Sequence, residues 1–154
     1  MQSLTRDLAD EAATARLGAA LAALARPGDI IALHGTLGMG KSTLARAFIR
    51  ALTSAAEEVP SPTFTLVQMY EGHSGALWHF DLYRLNKPDD AFELGIEDAF
   101  TDGISLLEWP ERLGRLMPRD RLDITLSLDA GATGRRAELV SHTQWHDRLK
   151  DLKA

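Results

Sequence analysis

The chain has 154 residues, 45% of them hydrophobic and 25% charged, which suits one compact domain whose folding buries about 68–70% of the unfolded surface. Its formal net charge of -5 disfavours autonomous binding to a polyanionic nucleic acid, and the lack of cysteine excludes a disulfide framework, a thiolate metal site and a thiol nucleophile. The amino-terminal MQSLTRDLADE is acidic where a secretory leader is basic and then apolar, and the longest apolar run, Leu17 to Ala25, falls short of the roughly 20 residues that span a bilayer, so a cytoplasmic protein without membrane contact is expected.

Asp7 can cap a first helix running to about Ala25, because Leu17, Leu21 and Leu24 recur at helical spacing and Pro27-Gly28 then stops it. Ile30-Ile31-Ala32-Leu33 is an unbroken apolar run bounded by glycines, the pattern of a central strand buried on both faces. A glycine-rich turn follows, and Ser42 to Leu52 then reads as an amphipathic helix, with Leu44, Phe48, Ala51 and Leu52 opposite Arg46 and Arg50. Glu57 to Pro62 is a polar loop leading into two strand-like runs, Thr63 to Tyr70 and Ala76 to Tyr83, joined as a hairpin through Glu71 to Gly75.

Asp89 or Asp90 can start a helical stretch carrying Phe92, Leu94, Ile96 and Phe100, which Gly95 splits into two short pieces. Ile104 to Leu107 reads as a second interior strand with Glu108 at its carboxyl end. Leu122, Ile124, Leu126 and Leu128 alternate with polar residues as in a half-buried strand, which Ala130 to Gly134 turns back into Arg136 to Ser141. Trp145 to Leu152 is expected to form a short last helix. No linker or repeat divides the chain, so residues 1–154 are expected to be one domain.

The glycine-rich turn carries the most specific signal. Gly35-Thr36-Leu37-Gly38-Met39-Gly40-Lys41-Ser42 satisfies the GxxxxGK[ST] pattern and lies between a buried strand and an amphipathic helix, as that motif requires. In such a loop Thr36, Leu37, Gly38, Met39 and Gly40 bring main-chain N–H groups onto phosphate oxygens, and the helix entered through Thr43 presents its positive end. Lys41 should bridge the two outermost phosphates of a nucleotide, and Ser42 should offer its hydroxyl to magnesium.

Magnesium-dependent phosphoryl transfer also calls for a carboxylate at the end of a neighbouring strand, and Glu108 and Asp81 are the two candidates. Ser61-Pro62-Thr63 reads equally as a nucleotide-sensing loop or as an ordinary entry into a strand. Trp109 suits stacking on a nucleotide or a partner as well as packing. The five histidines lack metal-ligand spacing and are expected to be structural or solvated. Asn86-Lys87-Pro88-Asp89 matches the guanine-reading NKxD pattern, but no Asp-x-x-Gly switch accompanies it, and Asp89 is more economically a helix cap. Arg112, Arg115, Arg119 and Arg121 are diluted by Glu111 and Asp120 and read as a solvated face.

The ordered set GDIIALHGTLGMGKSTLARAFIRAL, SPTFTLV, HFDLYRL, ELGIEDAF and LLEWPERL resembles the TsaE family, the ATPase component of bacterial tRNA threonylcarbamoyladenosine synthesis, from Asp10 to Leu139. The resemblance implies a P-loop α/β fold with a mixed, partly antiparallel sheet flanked by helices. It implies that Lys41 and Ser42 meet the phosphates and Mg2+, and that Glu108 is a magnesium-linked carboxylate. Asp81 becomes a second essential acid near the γ-phosphate, and Thr63 part of a switch-like loop with Trp109 nearby. The family usually has Thr at the position of Ser42 and Ala at that of Met39; Ser keeps the hydroxyl. The resemblance further implies docking on the TsaB and TsaD proteins, with ATP hydrolysis supporting turnover and tRNA reached only through that complex. Two other readings compete: a small-molecule kinase of the gluconate or shikimate type, using the arginines as a lid, and a nucleotide-gated binding module that needs no turnover.

Overall fold

The computed structural model describes residues 2–36, 38–129, 131, 133–142 and 144–154. Its frame is a seven-stranded mixed sheet in the order β1-β7-β6-β2-β5-β4-β3. The central strand is β2 (Ile30–His34), and its unbroken apolar run is explained by its position: it pairs in parallel with β5 (Ile104–Glu108) on one side and β6 (Leu122–Leu128) on the other. β4 (Gly75–Asp81) extends the parallel set, and β3 (Val67–Gly72) folds back on it as a hairpin turning through His73 and Ser74. At the opposite edge β7 (Arg135–Ser141) runs antiparallel to β6. Two residues of the expected β6–β7 turn, Ala130 and Ala132, lie outside the described residues.

One face of the sheet is covered by α1 (Glu11–Leu24) and α2 (Lys41–Leu52), whose Leu17, Leu21, Leu44, Phe48 and Ile49 pack with Ile31, Leu33, Leu106, Ile124 and Leu139. Gly18 lets the two helices approach closely, because a Cβ there would lie 2.6 Å from the Leu44 carbonyl oxygen. Ala51, expected on the apolar side of α2, is instead exposed, and Ala45 and Ile49 take the buried stripe. The other face is covered by a 3₁₀ helix (Pro88–Leu94), α3 (Ile96–Asp102) and a second 3₁₀ helix (Pro110–Leu116), which close over Ile30, Phe80, Leu82 and Leu107. Among the described residues no helix is long and apolar enough to cross a membrane.

Four local expectations are corrected. Asp7 does not cap α1: Gln2–Leu8 is a strand, β1, registered along the whole of β7, and the cap is Asp10, whose Oδ1 accepts from the Ala13 N–H at 2.8 Å. The period-two alternation that ends in buried Leu8 was masked by the acids around it. The strand expected from Thr63 begins only at Val67, because the Leu66 N–H bonds back to the Pro62 carbonyl at 2.7 Å and Leu66 adopts a positive φ of 68°. The helix after Lys87 starts on Pro88 in 3₁₀ geometry with no side-chain cap, so Asp89 lies inside its first turn. Arg121 is no solvated cation: its Nε donates to both oxygens of Asp123 at 3.1 and 3.0 Å.

The carboxyl-terminal segment is locked from within. In α4 (Trp145–Arg148), which runs on into a 3₁₀ turn (Leu149–Asp151), the Arg148 guanidinium makes a buried fork to Asp29 at 2.6 and 2.7 Å and also donates to the Leu24 carbonyl at 2.9 Å. Asp29 immediately precedes β2 and accepts from the Arg26 N–H at 2.6 Å, so the clamp fixes the entry to the central strand. Arg148→Met would leave that carboxylate buried without its cation, and a loss of about 3–5 kcal/mol is expected. Thermal unfolding should show the midpoint falling by roughly 10 °C, with much of the loss recovered in the Asp29→Asn/Arg148→Met double variant.

Candidate functional site

The site forms where the parallel strands end. The chain leaves β2 at His34, turns through Gly35, Gly38 and Gly40 at φ of 137°, 83° and 103°, and enters α2 at Lys41. These left-handed values are ones that side chains other than glycine rarely adopt, and they bend the chain back onto the axis of α2. Among the described residues no side chain caps α2, so its first N–H groups are left without a capping acceptor at the positive end of the helix. The loop is pinned from outside: Arg135 Nη2 donates to the Gly38 carbonyl at 3.2 Å, and Thr43 Oγ1 donates to Glu11 Oε1 at 3.3 Å.

Opposite the loop stand the ends of β4 and β5. Asp81 and Glu108 close these strands in direct register, so two carboxylates sit side by side, both buried. Each has its own donor. Asp81 Oδ2 accepts from Thr63 Oγ1 at 3.1 Å and its Oδ1 from the Tyr83 N–H at 3.1 Å, whereas Glu108 Oε2 is bonded to His79 Nε2 at 2.7 Å. The turn that replaces the expected start of β3 is what delivers Thr63 to Asp81, and Ser61 Oγ lies 2.6 Å from Thr63 Oγ1.

Lys41 is 5% exposed yet makes no ion pair among the described residues. Its Nζ lies 4.2 Å from the centre of the Trp109 ring. Trp109 holds a left-handed conformation at φ 56° just after Glu108, and Tyr83 packs against its ring at 4.8 Å. The strained turn directs the indole onto the ammonium, while Tyr83 keeps it from swinging away.

A cavity of about 300 Å³ brings together Gly38, Gly40, Lys41, Ser42, Thr43, Thr63, Asp81, Glu108 and Trp109, with Glu11 and Ser61 added. Thr36 lines an adjoining hollow with Lys41, Trp109 and Glu111. Met39 is partly buried against the core, and Leu37 lies outside the described residues. Sequence reasoning missed Glu11 and the bond from His79 to Glu108. For His79 the signal was available: it stands two residues before Asp81 on a strand and therefore shares its face.

A second polar cluster braces the root of the loop. Asp123 accepts from His34 Nε2 at 2.9 Å, from His142 Nε2 at 3.0 Å and from Arg121. Burial alone raises the pKa of Asp123, but the hydrogen bonds from His34, Arg121 and His142 and the Arg121 charge outweigh it and lower it to about 2.

The sequence model of the TsaE family, described as "Threonylcarbamoyl adenosine biosynthesis protein TsaE", matches residues 8–137. The chain belongs to the TsaE family. A TsaE protein of Haemophilus influenzae is 36% identical over 149 residues, covering 93% of this chain and 92% of that one. A TsaE protein of Rickettsia bellii is 36% identical over 121 residues, covering 79% and 84%. The crystal structure of Bacillus subtilis YdiB superposes with a TM-score of 0.76 at 26% identity, covering 97% of this chain and 93% of that one.

Two measurements test this geometry. The folded pKa of Asp123 lies below the unfolded value of 3.8, so its stabilisation is complete above that value and is lost as pH falls toward about 2. The cluster is partly solvated, which reduces the shift to about 1 kcal/mol of net effect. Urea unfolding of wild type and Asp123→Asn should therefore differ by about 1 kcal/mol near neutrality and converge in acid. In the second, an anion that draws Lys41 off the indole should alter Trp109 emission when inorganic pyrophosphate is added as an anionic probe. Trp109→Phe should abolish that response, and Trp78→Phe or Trp145→Phe should preserve it.

Proposed function

We propose that this TsaE-family protein hydrolyses ATP at the Lys41 cavity in support of tRNA threonylcarbamoyladenosine biosynthesis, with TsaB and TsaD as its companion proteins and tRNA met only through them. The observation that carries the reading is a buried ammonium without a carboxylate partner among the described residues, held at the uncapped amino end of α2 behind a loop of left-handed glycines. An anionic phosphate tail supplies what that group lacks. The biosynthetic assignment is supported by the family match.

The cavity also carries three carboxylates, Glu11, Asp81 and Glu108, against one ammonium, and such a lining repels a bare triphosphate. A divalent cation resolves that repulsion. Among the described residues no cluster of three or more His, Asp or Glu side chains could cage an ion, which suits Mg2+, since it takes one or two protein oxygens and leaves its other positions to phosphate and water. Ser42 and Glu108 would hold it, and when bound it neutralises charge on the outer phosphates. In the same reading Lys41 and the loop N–H groups bind and orient the phosphates. Asp81 has both oxygens engaged by Thr63 and Tyr83, so it serves to hold the Thr63 loop over the cavity.

Lys41→Ala removes a positioned donor, and a fall of about 10²–10³-fold in phosphate release is expected. Circular dichroism should show the variant folded, and TsaB with TsaD should stimulate the wild type. Hydrolysis by Lys41→Ala at the wild-type rate, or transfer of phosphate to a hydroxyl acceptor instead of to water, would overturn the reading.

A further inference from the structure

His79 is among the most enclosed polar residues of the protein, at 3% exposure, and its ring makes one hydrogen bond among the described residues. In the register of β4 and β5 it lies opposite Leu106, whereas Glu108 lies opposite Asp81. Glu108 therefore reaches back along the sheet to place Oε2 on His79 Nε2 at 2.7 Å. That direction separates the Glu108 carboxylate from Asp81, the like charge beside it in direct register.

The other ring nitrogen gives the second observation. Nδ1 of His79 is buried and has no hydrogen-bond partner among the described residues. An orphaned buried polar atom costs free energy that an apolar side chain of similar size would avoid, so packing alone does not explain a histidine here. Among the described residues the one hydrogen bond the ring makes is to Glu108, and the Glu108 carboxylate has no other hydrogen bond. With Oε2 engaged, Oε1 is the oxygen left for the cavity that Glu108 shares with Ser42.

We infer that His79 is a positioning residue for Glu108: its Nε2–H fixes one carboxylate oxygen so that the other is presented to the divalent cation that accompanies the nucleotide. The inference rests on the reading of Glu108 as a cation-holding carboxylate. His79 touches neither nucleotide nor cation in this arrangement and acts only through Glu108. Glutamine at this position can place an N–H near the site of Nε2, whereas asparagine is too short and leucine fills the volume without a donor.

The test uses Mn2+ as the probe, its binding to the protein–ADP complex followed by electron paramagnetic resonance, with cation-free ADP affinity measured by calorimetry. His79→Asn and His79→Leu should each weaken Mn2+ by about tenfold, as losses of outer-shell partners do, and His79→Gln should stay within about threefold of wild type. Cation-free ADP affinity should be unchanged throughout. Glu108→Gln should weaken Mn2+ at least as much, and His79→Asn/Glu108→Gln no further than Glu108→Gln alone. Wild-type Mn2+ binding by His79→Asn or His79→Leu, equal damage in His79→Gln, or additive losses in the double variant would each overturn the inference while leaving Glu108 its role. Wild-type Mn2+ binding by Glu108→Gln would overturn that role, and the inference with it.

Discussion

The passage from β2 into α2 turns on one short glycine-rich bend that brings the chain onto the helix axis at Lys41. Three glycines with positive φ make that geometry accessible, and the helix that follows begins without a side-chain cap. Everything around the turn steadies it. Arg135 holds the Gly38 carbonyl, Glu11 holds Thr43, and the Asp123 cluster grips His34 at the last residue before the glycines. Left-handed backbone and an uncapped helix start both cost free energy, so they persist only where the surrounding fold fixes them.

The sheet divides its labour accordingly. Its parallel centre, β6-β2-β5-β4, brings the carboxyl ends of β2, β4 and β5 to one edge, where the loop, Asp81 and Glu108 converge. The antiparallel strands outside that centre extend the frame: β3 leads the Thr63 turn to Asp81, and β7 carries Arg135 to the loop. The Arg148–Asp29 clamp acts at the far end of β2 and keeps the strand from shifting along its axis under the site.

How much of this was legible in the sequence depends on the range of the interactions involved. β2, β5 and the glycine turn were readable because their signals are local: unbroken apolar runs and a fixed spacing of glycines before Lys41. β1 was not, because Gln2–Leu8 becomes a strand only through its register with β7, more than a hundred residues away. The Pro62–Leu66 turn was equally hidden, since Thr63 to Tyr70 has the residue types of one continuous strand, and its first part is diverted by the bond from Thr63 to Asp81. His79 was read as structural or solvated because metal-ligand spacing was sought, whereas its partner is a carboxylate on the neighbouring strand.

Why Lys41 rests on an indole and not on a carboxylate follows from the energetics of release. Asp81 and Glu108 line the same cavity, yet Thr63 and Tyr83 engage both oxygens of Asp81 and His79 engages Oε2 of Glu108, while the ammonium faces Trp109 at 4.2 Å. A buried ion pair with either acid would have to be broken before a phosphate could be met, and losing one partner of such a pair costs about 3–5 kcal/mol. The attraction to a ring face is about 0.5–2 kcal/mol, enough to place the ammonium and small enough to yield it to an anion. The donors around the acids therefore do more than satisfy them: by holding both oxygens of Asp81 and one of Glu108, they compete with the lysine for these carboxylates.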